Sequence, residues 1–134
     1  AVLVALLVIA QPIFAHTLTA PESVQAAGDG SYETIATFTV GPGSVRLAAA
    51  NIMGTENSGV NEVMIDFFCT MEYPEGDEID FHVWGDLVNP QVGAMVGVQV
   101  FDCDGIEYWV EIEVVPPPRG AQNETWGAIK TRYR

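Results

Sequence analysis

The stretch VGVQVFDCDGIEYWVEIEVV, residues 96–115, decides the fold. Val96, Val98 and Val100 alternate with Gly97, Gln99 and Phe101 before a turn. Tyr108, Val110, Ile112 and Val114 alternate with Trp109, Glu111 and Glu113 after it. Period two belongs to a strand that buries one face. The turn length follows from the same pattern. A two-residue loop of Asp104 and Gly105 would set Val98 opposite Glu111, throwing the two apolar sets onto opposite faces of the sheet. A three-residue loop of Cys103, Asp104 and Gly105 instead sets Val100 opposite Tyr108, Val98 opposite Val110 and Val96 opposite Ile112. That register buries one common face, with Gly105 in the left-handed position, and is the expected one.

The same period runs back through the chain. Tyr32, Thr34, Ala36, Phe38 and Val40 share a face up to the turn at Gly41, Pro42 and Gly43. Val45, Leu47 and Ala49 share a face of the next run. Val63, Ile65, Phe67, Cys69 and Met71, alternating with Glu62, Asp66, Thr70 and Glu72, predict one long strand with Cys69 pointing inward. Ile79, Phe81 and Val83 follow the acidic loop EYPEGDE, residues 72–78. Pro116, Pro117 and Pro118 must then be extended and cannot donate to a ladder. Alternation resumes in the tail from Glu124 to Arg134, read as a last edge strand whose bases deter stray pairing. No run after residue 16 carries a helical stripe. The expectation is an all-β, immunoglobulin-like antiparallel β-sandwich over residues 16–134, preceded by an apolar segment over residues 1–15.

With 134 residues, 49% of them hydrophobic, the chain can bury a core, so it is not a disordered protein. Its 18 acidic residues against 5 basic ones, a net charge of −13, exclude nucleic acid as a partner. The charge is uneven. Residues 1–118 hold 17 acids and one base (Arg46), while residues 119–134 hold Arg119, Lys130, Arg132 and Arg134 against Glu124 alone. An acidic body with a basic tail favours head-to-tail contacts between copies.

Residues 1–15, AVLVALLVIAQPIFA, carry one polar side chain, Gln11, and no charge. The run has the apolar stretch and small final residue of a secretory leader, but no basic start, and Ile13 suits cleavage poorly; it is expected to be retained. As a helix it would reach only about 22 Å, short of a hydrocarbon core of about 30 Å. Retained, it has to be buried against protein. Val2, Leu3, Val4, Leu6, Leu7, Val8 and Ile9 are the assembly residues, packed as a helix among identical helices or inserted as a donor strand into a neighbour's sheet. Helix is favoured. Membrane contact is expected only before assembly, if at all.

Candidate chemistry is sparse. Cys69 and Cys103, the only cysteines, are expected to form a disulfide in a secreted chain. Asp102, Asp104 and Glu107 around Gly105 resemble part of a calcium loop without its full spacing, and turns recruit Asp and Gly for their own geometry. Glu75, Asp77, Glu78 and Asp80 form a weaker site of the same kind. His16 and His82 stand alone in sequence, where a metal site needs three or four ligands. No nucleophile–base arrangement, phosphate loop or redox CxxC appears, so neither an enzyme nor a resident cofactor is expected. Asn123, Glu124 and Thr125 form a glycosylation sequon. Met64, Phe68, Trp84, Phe101 and Trp109 fall among acids on the outward sides of strands, a surface that a partner subunit would cover.

An uncharged apolar segment followed by an immunoglobulin-like sandwich resembles the archaeal type IV pilins, and also the secreted pili built by donor-strand exchange. The resemblance is architectural, and the segment is shorter than pilin helices. It implies a structural subunit of an extracellular filament, with identical subunits as partners in a homopolymer at the cell surface. The alternatives are a membrane-associated accessory subunit of a larger complex and a secreted ligand-binding sandwich with a leader still attached.

Overall fold

The structure is a computed structural model that describes residues 16–118. Nine strands follow one another: β1 (Thr17–Thr19), β2 (Ser23–Gln25), β3 (Ser31–Thr39), β4 (Val45–Gly54), β5 (Val63–Asp66), β6 (Glu72–Tyr73), β7 (Glu78–Asp86), β8 (Ala94–Asp102) and β9 (Glu107–Val115). They make two sheets. The smaller has the order β1-β3-β7; the larger runs β2-β9-β8-β4-β5, with β6 paired to β4 alone. This is the immunoglobulin-like β-sandwich the alternation predicts. One pairing departs from the antiparallel expectation: β2 runs parallel to β9, with Val24 beside Val114. After β1 pairs with β3, Pro21 interrupts the edge and the chain crosses to the other sheet as β2.

The β8–β9 hairpin has the expected register: Val100 faces Tyr108, Val98 faces Val110 and Val96 faces Ile112. Asp102 N–H donates to the Ile106 carbonyl at 3.0 Å, closing a three-residue loop in which Gly105 has φ +87°.

Two expectations are corrected. Val45 and Leu47 are buried, but Ala49 is not on their face; the register shifts between Leu47 and Ala49, and the buried positions become Ala50 and Ile52. One extra residue in a bulge switches every later side chain to the other face. The long strand over residues 63–71 also fails. β5 stops at Asp66, because Phe68 and Cys69 take left-handed conformations (φ +54° and +56°). The Asp66 carboxylate accepts the Phe68 N–H at 2.9 Å, and Phe67 and Cys69 N–H donate to the Ala48 and Leu47 carbonyls of β4. Met71, expected inward, is exposed.

The core lies between the sheets, with Phe38, Leu47, Val96, Val98, Val100 and Ile112 fully buried. Each such side chain contributes about 1.5–3 kcal/mol relative to exposure. The strands that antibody domains bridge by a disulfide, here β3 and β8, hold no cysteine and supply Ala36, Phe38, Val98 and Val100 to that core. Among the described residues, every buried side-chain nitrogen and oxygen has a hydrogen-bond partner.

Candidate functional site: an acidic aromatic sheet face and a disulfide-pinned end

The smaller sheet turns Tyr32, Ala36, Phe38, Phe81 and Val83 inward, so the alternate residues form its outer face. Register sets Glu33 opposite Trp84, Ile35 opposite His82 and Thr37 opposite Asp80. The His82 and Trp84 rings, two residues apart on β7, stack at 4.8 Å with 20° between planes. His82 Nε2 donates to Glu33 Oε2 at 2.9 Å, since a carboxylate only accepts. Trp84 nevertheless stays 42% exposed and Ile35 48% exposed.

A groove of about 440 Å³ runs along this face toward the β2 edge, lined by Val24, Gln25, Tyr32, Glu33, Trp84 and Asp86 among others. Its floor depends on Gly85. A Cβ there would meet the Gly59 carbonyl and come 2.7 Å from Val60 Cα, because residues 59–61 bond along the edge of β7. Beneath it, the Tyr32 hydroxyl donates to the Ser58 carbonyl at 2.6 Å. Burial first, and then the charge of Asp86, push that phenol up to about 12.

The second place lies at the opposite pole of the hairpin. Cys69 and Cys103 are bonded, with Cα atoms 5.9 Å apart. The left-handed turn at Phe68 and Cys69 swings the thiol toward the β8–β9 loop, where a continuous strand would have aimed it into the core. Asp102 is buried there and its carboxylate is consumed by the hairpin. Oδ1 accepts from the Asp104 and Ile106 N–H groups, and Oδ2 accepts from the Tyr108 hydroxyl at 3.1 Å. Burial first, and then the bond to Asp102, push Tyr108 up to about 12. Glu107 instead accepts from Gln99 at 2.5 Å, and Asp104 stands exposed on the loop. Of the three residues of the calcium reading, Asp102 and Glu107 thus have their carboxylates engaged in separate bonds, and Asp104 faces solvent. In the acidic loop, Glu75 accepts from the Gly43 N–H, and Asp80 accepts from Thr37. Among the described residues, no group of three His, Cys, Asp or Glu side chains is arranged to hold a metal ion.

His16 and His82 lie apart. His16 Nδ1 accepts the Gly41 N–H at 2.9 Å and its ring sits near Phe38 and Tyr108. On the outer face of the larger sheet, Trp109 covers Gly97, Met64 is strongly exposed and Phe101 is half-buried, whereas Phe68, expected on a strand, is exposed on the turn after β5. Asn123, the edge strand expected over Glu124 to Arg134, and the assembly residues Val2, Leu3, Val4, Leu6, Leu7, Val8 and Ile9 lie outside the described residues. The contact of Glu33 with His82 had no sequence signal, since 49 residues separate the partners; the shared face of His82 and Trp84 was legible from their spacing.

No family model and no curated protein matches the chain. Among solved structures it is similar to a conjugative transposon lipoprotein from Bacteroides eggerthii (16% identity, TM-score 0.51, covering 75% of this chain and 97% of that one). It is also similar to the secreted serine protease VesC from Vibrio cholerae (13% identity, TM-score 0.52, 87% of this chain but 27% of that one). Murine CRIg matches less well, at 17% identity and TM-score 0.43 over 75% of this chain and 97% of that one. What the first two share with this chain is the fold.

Proposed function

We propose that this chain is a non-catalytic structural subunit of an extracellular filament, held to identical copies through the apolar segment of residues 1–15. The observation that carries the reading is the junction at His16. Fifteen uncharged residues with a single polar side chain lead directly into β1, which is part of an acidic, disulfide-pinned sandwich. Such a run needs a protein or lipid environment, whereas the sandwich, with 17 acids against Arg46, is suited to water. The Cys69–Cys103 bridge supports an oxidising compartment, hence the cell surface or beyond. The exposed Trp109 and Met64 on the larger sheet, with Phe68 on the turn after β5, offer lateral contact surface between copies.

Electron microscopy of native material containing this chain tests the proposal. Filaments with one repeating subunit are expected, and removal of residues 1–15 should abolish them. Particles holding this chain among different proteins would move the function to an accessory subunit. Monomers alone would move it to a secreted binding domain.

A further inference from the structure

The groove beside Trp84 has a chemical preference. Its walls bring an exposed indole together with the carboxylates of Glu33 and Asp86. The one arginine or lysine among the described residues, Arg46, is elsewhere, on β4 and 3.8 Å from its β6 partner Glu72. An aromatic face flanked by two carboxylates suits a guanidinium or ammonium group, through cation–π contact and charge-assisted hydrogen bonds.

The same chain carries such groups. Beyond Pro118 the sequence is basic, and Lys130, Arg132 and Arg134 alternate with Ile129, Thr131 and Tyr133. It also starts in the right place. Val115 pairs with Gln25, Ala26 N–H donates to the Val115 carbonyl, and Gln25 and Ala27 line the groove. The dozen residues from Pro118 to Lys130 span up to about 40 Å when extended, far more than the groove requires.

We infer that the groove formed by Glu33, Trp84 and Asp86 receives the basic C-terminal segment, residues 129–134, of its own chain. Tethering decides for the same copy over a neighbour. A linker of about a dozen residues holds the segment at an effective concentration of about millimolar, which a second copy has to outcompete. The inference does not rest on filament assembly, and it neutralises the charge asymmetry within one molecule.

Lys130 is the chain's only lysine, which makes a direct test available. A carbodiimide joins an amine to a carboxylate only when the two touch. The full chain, prepared as an equal mixture of ¹⁴N and ¹⁵N copies, is treated at low salt and digested, and the Lys130 cross-links are mapped by mass spectrometry. The expected result is a bond from Lys130 to Glu33 or Asp86 with both peptides carrying the same isotope, lost at high salt. Mixed-isotope pairs would show that the groove takes a neighbour's tail and would overturn the assignment to one chain. Cross-links to Glu72, Asp77 or Asp104 at the disulfide end, or no Lys130 cross-link at all, would overturn the groove itself. These outcomes are independent of whether the preparation contains filaments.

Discussion

Tyr108 donates its hydroxyl to Asp102 across the β8–β9 hairpin at 3.1 Å, while the other carboxylate oxygen of Asp102 holds the Asp104 and Ile106 N–H groups. One buried acid thus closes the turn from the inside, next to the cysteine that pins the turn from the outside. Asp102→Ala should leave two loop N–H groups and a phenol without their acceptor and cost about 2–3 kcal/mol. Tyr108→Phe removes one bond and should cost about 1 kcal/mol. Urea denaturation of the two variants checks the order; equal losses would mean the carboxylate does not organise the loop.

Alkaline pH should destabilise the domain above the ordinary tyrosine pKa of 10. Tyr32 and Tyr108 are raised to about 12 from 10, so between those values the unfolded chain releases protons that the folded one keeps. Stability is therefore fully present below pH 10 and falls as pH rises toward 12. Tyrosinate absorbance followed beside circular dichroism should show these two phenols ionising late, together with loss of structure. Titration of both at pH 10 in the folded protein would contradict their placement.

Reduction of Cys69–Cys103 releases a loop with a sequence separation of 34. The chain-entropy cost is about 3–4 kcal/mol. Cys69→Ser with Cys103→Ser should lower the denaturation midpoint accordingly and leave the β3–β7 pairing intact, because neither cysteine lies on those strands, which pair through their own ladder. Hydrogen exchange that quickens first in β7 would argue otherwise.

Gly97 and Gly85 should respond differently to alanine. At Gly97 an added Cβ collides with the indole of Trp109, an exposed side chain that can swing aside. The cost should be about 1 kcal/mol, with a red-shifted tryptophan emission. At Gly85 the same carbon meets the backbone of Gly59 and Val60, which cannot give way. The expected cost there is about 3 kcal/mol. Comparable melting temperatures for the two variants would refute the distinction.

Local pattern was enough wherever a strand was continuous and its turn carried glycine. The β8–β9 register is legible in the sequence, since only one loop length puts Val98 and Val110 on the same face. Pattern misled where the backbone broke its own rhythm. Nothing in AAAN announces the bulge after Leu47, and Phe68 and Cys69 are poor candidates for left-handed backbone. Those two residues adopt it because Asp66 and the carbonyls of Leu47 and Ala48 hold the turn, partners that alternation does not count.

The candidate site divides in the same way. Parity alone singled out Cys69 and Cys103, and the HVW triplet alone put His82 and Trp84 on one face. By itself the sequence determined the all-β class, the acidic body, the basic tail and the apolar start, because composition and period-two burial act over neighbouring residues. Only the tertiary structure decided that Cys69 reaches the hairpin, that Asp102 serves the turn, and that Glu33 meets His82 beside Trp84. Those relationships depend on pairings between distant strands, where a one-residue shift in register moves every side chain to the opposite face.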